Sequence, residues 1–221
     1  PGCHRRHFAQ WGVTLDLWWG DAACVLEDLA SHGRRWVDAW YLDGFAPARE
    51  AGPWQQDVYT AMAALSLPGA TFSTFTAAGN VRRGLEAAGF SVSKRAGFGS
   101  KRDALCGFIG KPTHTSPPLT PWDLNPTPRK PAHAMVIGGG LAGAHAAHAL
   151  ATRGIAVTVL EAATHASGGS SNLQGVTYTR LSHQHNPLTD FSVSAFAYAA
   201  DHYEVLAGSG ALEPGEYGWG G

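Results

Sequence analysis

The sequence predicts an α/β protein with two different halves, on three observations. Before residue 111, short apolar runs alternate with segments of helical periodicity. Between residues 111 and 131 the chain carries seven prolines, which favour an extended backbone. After residue 131, a strand, a glycine-rich turn, a helix and a second strand follow one another. We therefore expect one domain at residues 1–110, a Pro-rich linker at residues 111–131 and a second domain at residues 132–221.

In the first domain the sequence predicts five strands and three helices. The strands are expected at residues 13–19, 39–45, 70–75, 90–95 and 104–109. The helices are expected at residues 22–31, 53–65 and 79–88, with Pro53 in the first turn of the second helix. This alternation predicts a mostly parallel sheet with helices on its faces, and an antiparallel pair formed by the last two strands.

The amino-acid composition and the net charge exclude some functional classes of protein. With 44% hydrophobic and 15% charged residues, the 221-residue chain is expected to fold. Its net charge of -1 excludes a globally basic nucleic-acid binder but leaves room for a local basic patch. The sequence contains no run of about 18 apolar residues and therefore predicts no membrane-spanning helix. Three widely spaced cysteines predict neither a disulfide framework nor a metal site and fit a cytoplasmic protein.

In the second domain, the glycine-rich turn matches the pattern GxGxxG over residues 138–143. Strands at 134–137 and 156–161 flank a helix at 141–153. Gly138 permits the tight turn, Gly140 lets a pyrophosphate approach the backbone, and Gly143 lets the helix pack closely on the strand. Glu161 would accept hydrogen bonds from ribose hydroxyls and repel a 2'-phosphate, which favours FAD or NAD over NADP. The alternative is a strand-to-helix turn without a ligand.

A polar, glycine-rich loop follows the acidic residue, over residues 166–175 with the sequence ASGGSSNLQG. It resembles the loop that lies along the flavin in oxidases of the D-amino-acid oxidase and glycine oxidase type. This resemblance favours FAD and implies cofactor contacts from Ser170, Asn172 and Gly175. The alternative is a flexible surface loop.

Further motifs resemble a known family. Residues 38–47 (DAWYLDGFAP), 75–79 (FTAAG), 81–85 (VRRGL), 94–99 (KRAGFG) and 101–102 (KR) resemble one domain, and residues 181–183 (LSH) and 186–188 (NPL) a second. The family is that of the bifunctional tRNA 5-methylaminomethyl-2-thiouridine biosynthesis enzymes, and the motifs stand in the family's order.

The resemblance implies a fold and an activity. The fold is the C-terminal half of a Rossmann-like class I methyltransferase sheet, followed by the N-terminal βαβ unit of an FAD-dependent amino-acid-oxidase-like domain. In that family the FAD domain oxidatively removes the carboxymethyl group from 5-carboxymethylaminomethyl-2-thiouridine at the tRNA wobble position. The methyltransferase domain then methylates the exposed amine with S-adenosylmethionine.

Two aspartates are candidates for the methyltransferase site. Asp43 would lie at the C-terminal end of a parallel strand, at the edge where open α/β sheets bind ligands. Its carboxylate could accept the proton of the substrate amine or orient the cation, and the sequence does not decide between these roles. Asp21 resembles the acidic residue that binds the adenine amino group, but a helix N-cap is an equal alternative.

Six basic residues near the last two strands are candidates for tRNA phosphate contacts, the alternative being an ordinary solvated face: Arg82, Arg83, Lys94, Arg95, Lys101 and Arg102. His183 and His185 are assigned a structural or substrate-edge role rather than a catalytic one, because the flavin itself accepts the electrons.

Two other functions remain open from the sequence. One is a stand-alone FAD-dependent amino-acid oxidase with an unrelated N-terminal region, and the other is a non-catalytic RNA-binding module. The glycine loop and ribose-binding acid of a methyltransferase, and the body of an oxidase domain, are not found in the sequence. We therefore expect a fragment of a longer protein that is inactive alone.

Overall fold

The computed structural model describes residues 2–99, 101–111, 131–164, 166–179, 182, 184 and 186–218. By internal packing these residues form two units. One runs from Gly20 to the end of the first domain's last strand, and the other combines the first 19 residues with the chain after the linker. The predicted linker falls almost entirely outside the described residues, and the predicted domain boundaries stay a prediction.

Residues 2–19 form an antiparallel hairpin of strands β1 (Gly2–Phe8) and β2 (Val13–Trp19). Strand β2 has the predicted bounds, whereas β1 was not predicted. The His- and Arg-rich sequence of β1 lacks an apolar alternation. Its pairing with β2 includes a cross-strand ion pair in which Nε and Nη2 of Arg5 donate to the two oxygens of the Asp16 carboxylate, at 2.6 and 2.7 Å.

The unit that begins at Gly20 contains helices α1 (Ala22–Ser31), α2 (Gln56–Leu65) and α3 (Gly79–Ala87). Its strands are β3 (Val37–Leu42), β4 (Ser66–Thr74), β5 (Phe90–Ala96) and β6 (Asp103–Ile109). Most predicted elements are present with shifted ends. The predicted place of Pro53 in the first turn of the second helix is wrong. Pro53 lies in a separate 3-10 turn (Gly52–Trp54) that precedes α2.

These four strands form one sheet in the order β3-β4-β6-β5. Only β3 and β4 are parallel among them, and both pairings of β6 are antiparallel. The prediction of a mostly parallel sheet is therefore wrong for the described residues, while the antiparallel pairing of the last two strands is confirmed. The difference arises because β6 returns between β4 and β5, and because β2 pairs with β1 instead of this sheet.

Helices α2 and α3 cover one face of the sheet and bury its core. The fully buried side chains include Met62 and Leu65 from α2, Leu85 from α3 and Leu105 from β6. Burial of one such side chain stabilises the fold by roughly 1.5–3 kcal/mol. Trp40 and Leu42 of β3 pack against this core, which therefore holds the strand end that precedes the candidate residue Asp43.

The unit after the linker contains β7 (His133–Ile137), α4 (Leu141–Ala151) and β8 (Ala156–Leu160). Strands β7 and β8 are parallel, so the predicted βαβ unit is confirmed. A helix α5 (Pro187–Gly208) was not predicted. Its apolar residues do not keep to one helical face, although the Asn186 capping box and Pro187 in the first turn are helix-start signals that the sequence does carry.

Candidate functional site

At two positions of the glycine-rich turn, the backbone accommodates only glycine. Gly138 has a φ of +98°, in the left-handed region that disfavours other residues. A Cβ built on Gly143 would lie 1.9 Å from the Gly138 carbonyl oxygen. Glycine at these two places thus lets α4 begin directly after β7 and pack against it, as the sequence predicted; cofactor contact from Gly138, Gly140 and Gly143 stays a prediction.

The N-terminus of α4 has no side-chain cap of its own, because its N-cap residue is Gly140. Instead, the N–H of Leu141 donates to the hydroxyl of Ser170, at 3.1 Å. The fold therefore brings Ser170 from the predicted flavin loop to the end of the helix. Asn172 and Gly175 lie further along the same loop, where both are exposed.

Glu161 directly follows β8 and lies against the glycine turn. Its Oε2 accepts a hydrogen bond from the Gly139 N–H at 2.6 Å, and its Oε1 accepts one from the Ala162 N–H at 2.7 Å. These donors fix the carboxylate beside the turn, and carboxylate oxygens have lone pairs for further donors such as ribose hydroxyls. The glycine turn, the helix N-terminus and Glu161 together fit the pyrophosphate and ribose of FAD.

Asp43 follows the last residue of β3. Because β3 is parallel to β4 and Leu42 pairs with Thr74, Asp43 lies where the carboxyl ends of two parallel strands meet. The position that the sequence predicted for Asp43 is therefore confirmed. Its side chain is exposed, and its Oδ1 accepts a hydrogen bond from the Gly44 N–H at 3.0 Å. One bond of this kind leaves the carboxylate able to accept from an amine.

An aromatic pair that the sequence analysis missed lies beside this strand end. The buried Trp54 donates its indole N–H to the carbonyl oxygen of Phe45, at 2.9 Å. Its ring meets Phe75 edge to face, with centroids 6.0 Å apart. The Lys101 ammonium lies 5.3 Å from the centroid of the Phe75 ring. A tryptophan next to a proline before an amphipathic helix was the available sequence signal for this contact.

Asp21 acts as the N-cap of α1. Its Oδ1 accepts from the N–H groups of Ala23 and Cys24, at 3.0 and 3.1 Å. The cap interpretation therefore describes the geometry, and adenine binding by Asp21 stays a prediction. The negative charge of Asp21 raises the pKa of the Cys24 thiol, because it disfavours a thiolate beside the carboxylate.

The six basic candidates do not share one face. Lys94 and Arg95 are consecutive in β5 and so point to opposite sides of the sheet. Arg95 donates to the Ser73 hydroxyl at 2.9 Å, and Arg82 forms an ion pair with Glu86 at 2.9 Å. Phosphate contacts from these residues stay a prediction. His183 and His185 lie outside the described residues.

The described ranges contain neither a metal-binding cluster nor a helix that could cross a membrane. No group of three or more His, Cys, Asp or Glu side chains there is arranged to hold a metal ion. None of the helices in these ranges combines the length and apolarity needed to cross a bilayer.

Each of the two parts of the chain matches a protein-family model. Residues 1–109 match the model of a family described as S-adenosyl-L-methionine-dependent methyltransferase. Residues 133–218 match the model of a family described as FAD dependent oxidoreductase. Both are enzyme families, and their cofactors are S-adenosylmethionine and FAD.

Among solved structures, the chain is similar to the crystal structure of MNMC2 from Aquifex aeolicus. The identity is 22% and the TM-score is 0.36. The match covers 46% of this chain and 31% of that one. It is a similarity in part of the chain only.

The order of the two family matches agrees with the order in the bifunctional tRNA family that the motifs resemble. The prediction of a methyltransferase followed by an FAD-dependent oxidoreductase is confirmed at the level of the two domains. The part of the chain before the linker thus matches the model of S-adenosyl-L-methionine-dependent methyltransferases, and the part after it matches the model of FAD dependent oxidoreductases.

Proposed function

We propose that the chain is part of a bifunctional enzyme that modifies the wobble uridine of tRNA. In this proposal the FAD segment removes the carboxymethyl group of 5-carboxymethylaminomethyl-2-thiouridine, and the methyltransferase segment methylates the resulting 5-aminomethyl-2-thiouridine. The observation that supports it most strongly is the presence of both family segments in one chain, in that order. The methyltransferase match over residues 1–109 argues against a stand-alone oxidase with an unrelated N-terminal region.

In the FAD segment the protein would bind and orient the cofactor. The backbone amides at the start of α4 and the hydroxyl of Ser170 would contact the pyrophosphate, and Glu161 would hold the ribose. Asn172 and Gly175 would line the flavin side of the loop. When bound, FAD supplies the two-electron acceptor for oxidation of the carboxymethylamine, so that the protein needs chiefly to position the substrate nitrogen.

In the methyltransferase segment Asp43 would act on the acceptor amine. The nitrogen needs a free lone pair to attack the methyl carbon of S-adenosylmethionine, and the carbon–sulfur bond breaks as the carbon–nitrogen bond forms. The Asp43 carboxylate would accept the proton that the amine loses, or hold the cation until the proton reaches water. Asp21 would contact the adenine in addition to capping α1.

The proposed partner is tRNA, held by some of the six basic residues around β5 and α3. The three cysteines of the described chain are unpaired thiols, which fits our proposal of a cytoplasmic enzyme.

Transfer of a labelled methyl group tests this function. The protein, in the full length that its coding sequence specifies, is incubated with labelled S-adenosylmethionine and tRNA that carries 5-aminomethyl-2-thiouridine. We expect label in the wobble nucleoside. An active flavin oxidase that leaves the tRNA unlabelled would establish the stand-alone oxidase instead, and a protein without a flavin absorption band would favour the RNA-binding module.

The Asp43→Asn variant tests the role of the carboxylate. An amide cannot accept the proton of the ammonium, so we expect labelling to fall by roughly 100-fold or more. Asp28→Asn is the matched control, because Asp28 is an exposed carboxylate on α1. An Asp43→Asn protein that labels tRNA at the rate of the control would remove Asp43 from the mechanism.

A further inference from the structure

Trp54 connects the two loops that follow the parallel strands β3 and β4. Its side chain is 7% exposed although it lies in a short 3-10 turn outside the helices and strands. The indole N–H, its one donor, is used on the carbonyl oxygen of Phe45 at 2.9 Å. The edge-to-face contact with Phe75 spans 6.0 Å between centroids at an interplanar angle of 83°.

Both contacts lie next to the candidate site. Phe45 is two residues after Asp43, and Phe75 is the first residue after β4. The ladder between β3 and β4 ends at the pair Leu42 and Thr74. Beyond that pair the backbone around Asp43 loses the support of strand pairing, so another interaction has to fix it.

The bond from Trp54 supplies such an interaction from a rigid part of the fold. Trp54 belongs to the same buried cluster as Val58 and Met62 of α2, so its ring cannot move without disturbing the core. A donor on a fixed ring restrains the Phe45 carbonyl and, through two peptide units, the direction of the Asp43 side chain. On the other loop, the same ring restrains Phe75, over which the Lys101 ammonium lies at 5.3 Å.

We propose that Trp54 is a positioning residue for methyl transfer, which holds the loop of residues 43–47 so that the Asp43 carboxylate faces the acceptor amine. This inference rests on the proposed function of Asp43. A displacement of about 1 Å between a catalytic group and its substrate is enough to lower a rate by up to roughly 100-fold. Loss of the indole N–H should therefore lower the rate of the chemical step more than the binding of either substrate.

The test compares Trp54→Phe with Trp40→Phe in the full-length protein. Each variant removes one indole N–H and keeps an aromatic ring. Trp40 is the matched control, because its indole N–H donates to the Ser66 hydroxyl at 2.9 Å, within the same sheet and away from the loop. For Trp54→Phe we expect kcat for methyl transfer to fall about 10-fold, with the KM for S-adenosylmethionine changed by less than about 2-fold. For Trp40→Phe we expect both constants to stay near those of the unmodified protein. Equal loss of kcat in the two variants, or no loss in Trp54→Phe, would overturn the proposal.

Hydrogen exchange provides a second measurement that does not depend on tRNA methylation. Trp54→Phe should speed exchange of the backbone amides of residues 43–46, whereas Trp40→Phe should leave them unchanged. If the unmodified protein fails to methylate tRNA, the proposed function is wrong. The hydrogen-exchange measurement then still tests whether Trp54 restrains the loop. Unchanged exchange in Trp54→Phe would then contradict the inferred restraint.

Discussion

The glycine turn of the FAD segment and the Asp43 loop of the methyltransferase segment are built in different ways. The turn is fixed by backbone geometry and by two neighbouring side chains, Ser170 and Glu161. The Asp43 loop depends on Trp54, a side chain buried in a packed core. In the described part of the FAD segment only Ile155 is a buried hydrophobic residue. Local cofactor geometry can therefore form with little core around it, whereas the placement of Asp43 requires the core.

Gly143→Ala is expected to have a large effect on FAD binding. A Cβ there would lie 1.9 Å from the Gly138 carbonyl oxygen, so that either the turn or α4 has to move. We expect the affinity for FAD to fall roughly 100-fold, equivalent to about 2.8 kcal/mol, in titrations that follow flavin fluorescence.

Gly208→Ala is the control for that substitution. Gly208 is the last residue of α5, and a Cβ there would meet nothing within 4 Å. If both variants bind FAD as the unmodified protein does, then the turn does not hold the cofactor.

A second prediction sharpens the contrast between the two cores. Leu105→Ala should lower the free energy of unfolding of the methyltransferase segment by roughly 2–5 kcal/mol, because Leu105 is fully buried. Ile155→Ala should cost the FAD segment less, since the surroundings of Ile155 are more open and can relax. Urea unfolding followed by hydrogen exchange of each segment gives both values. An equal loss in the two segments would contradict the difference in packing.

The sequence predicts several features of both sites. The glycine turn was predicted residue by residue, because its chemistry depends on near neighbours along the chain and on one acidic residue at the end of the next strand. Asp43 was placed at a strand end for the same reason. The Trp54 contact and the return of β6 between β4 and β5 were not predicted, since both depend on tertiary packing and not on the local sequence pattern.

The predicted tRNA surface shows the same limit. The sequence brings Lys94 and Arg95 together as neighbours, but the alternation of side chains along β5 separates them onto opposite faces. Charge along a sequence therefore does not establish a patch until the faces of each element are known.

A cluster of histidines in the FAD segment gives the smallest expected effect. His202 of α5 lies 4.9 Å from His145 and 5.2 Å from His148, both on α4, between ring centroids. Burial, followed by the charges of His145 and His148, lowers the pKa of His202, although Asp201 opposes the shift. The other titratable or charged groups around this cluster are Tyr198, Tyr203 and Arg6, the last of which pairs with Asp201.

The stability of the FAD segment should therefore depend on pH. Below the ordinary histidine value of 6.5 the unfolded chain binds a proton at His202 more readily than the folded chain. The contribution of His202 to the free energy of unfolding is therefore complete above pH 6.5 and is lost as the pH is lowered through the pKa of the folded state. His202→Phe should flatten this loss in thermal unfolding measured between pH 7.5 and 5, whereas His133→Gln, outside the cluster, should not. An unchanged slope in His202→Phe would contradict the assignment.

The nucleoside that accumulates in treated tRNA tests the central claim most directly. tRNA that carries 5-carboxymethylaminomethyl-2-thiouridine is incubated with the full-length protein, FAD and S-adenosylmethionine, and its wobble nucleoside is identified by mass spectrometry. We predict that Asp43→Asn accumulates 5-aminomethyl-2-thiouridine and that Gly143→Ala leaves the carboxymethyl nucleoside unchanged. The same nucleoside in both variants, or full methylation by Asp43→Asn, would contradict the assignment of two reactions to two separate sites.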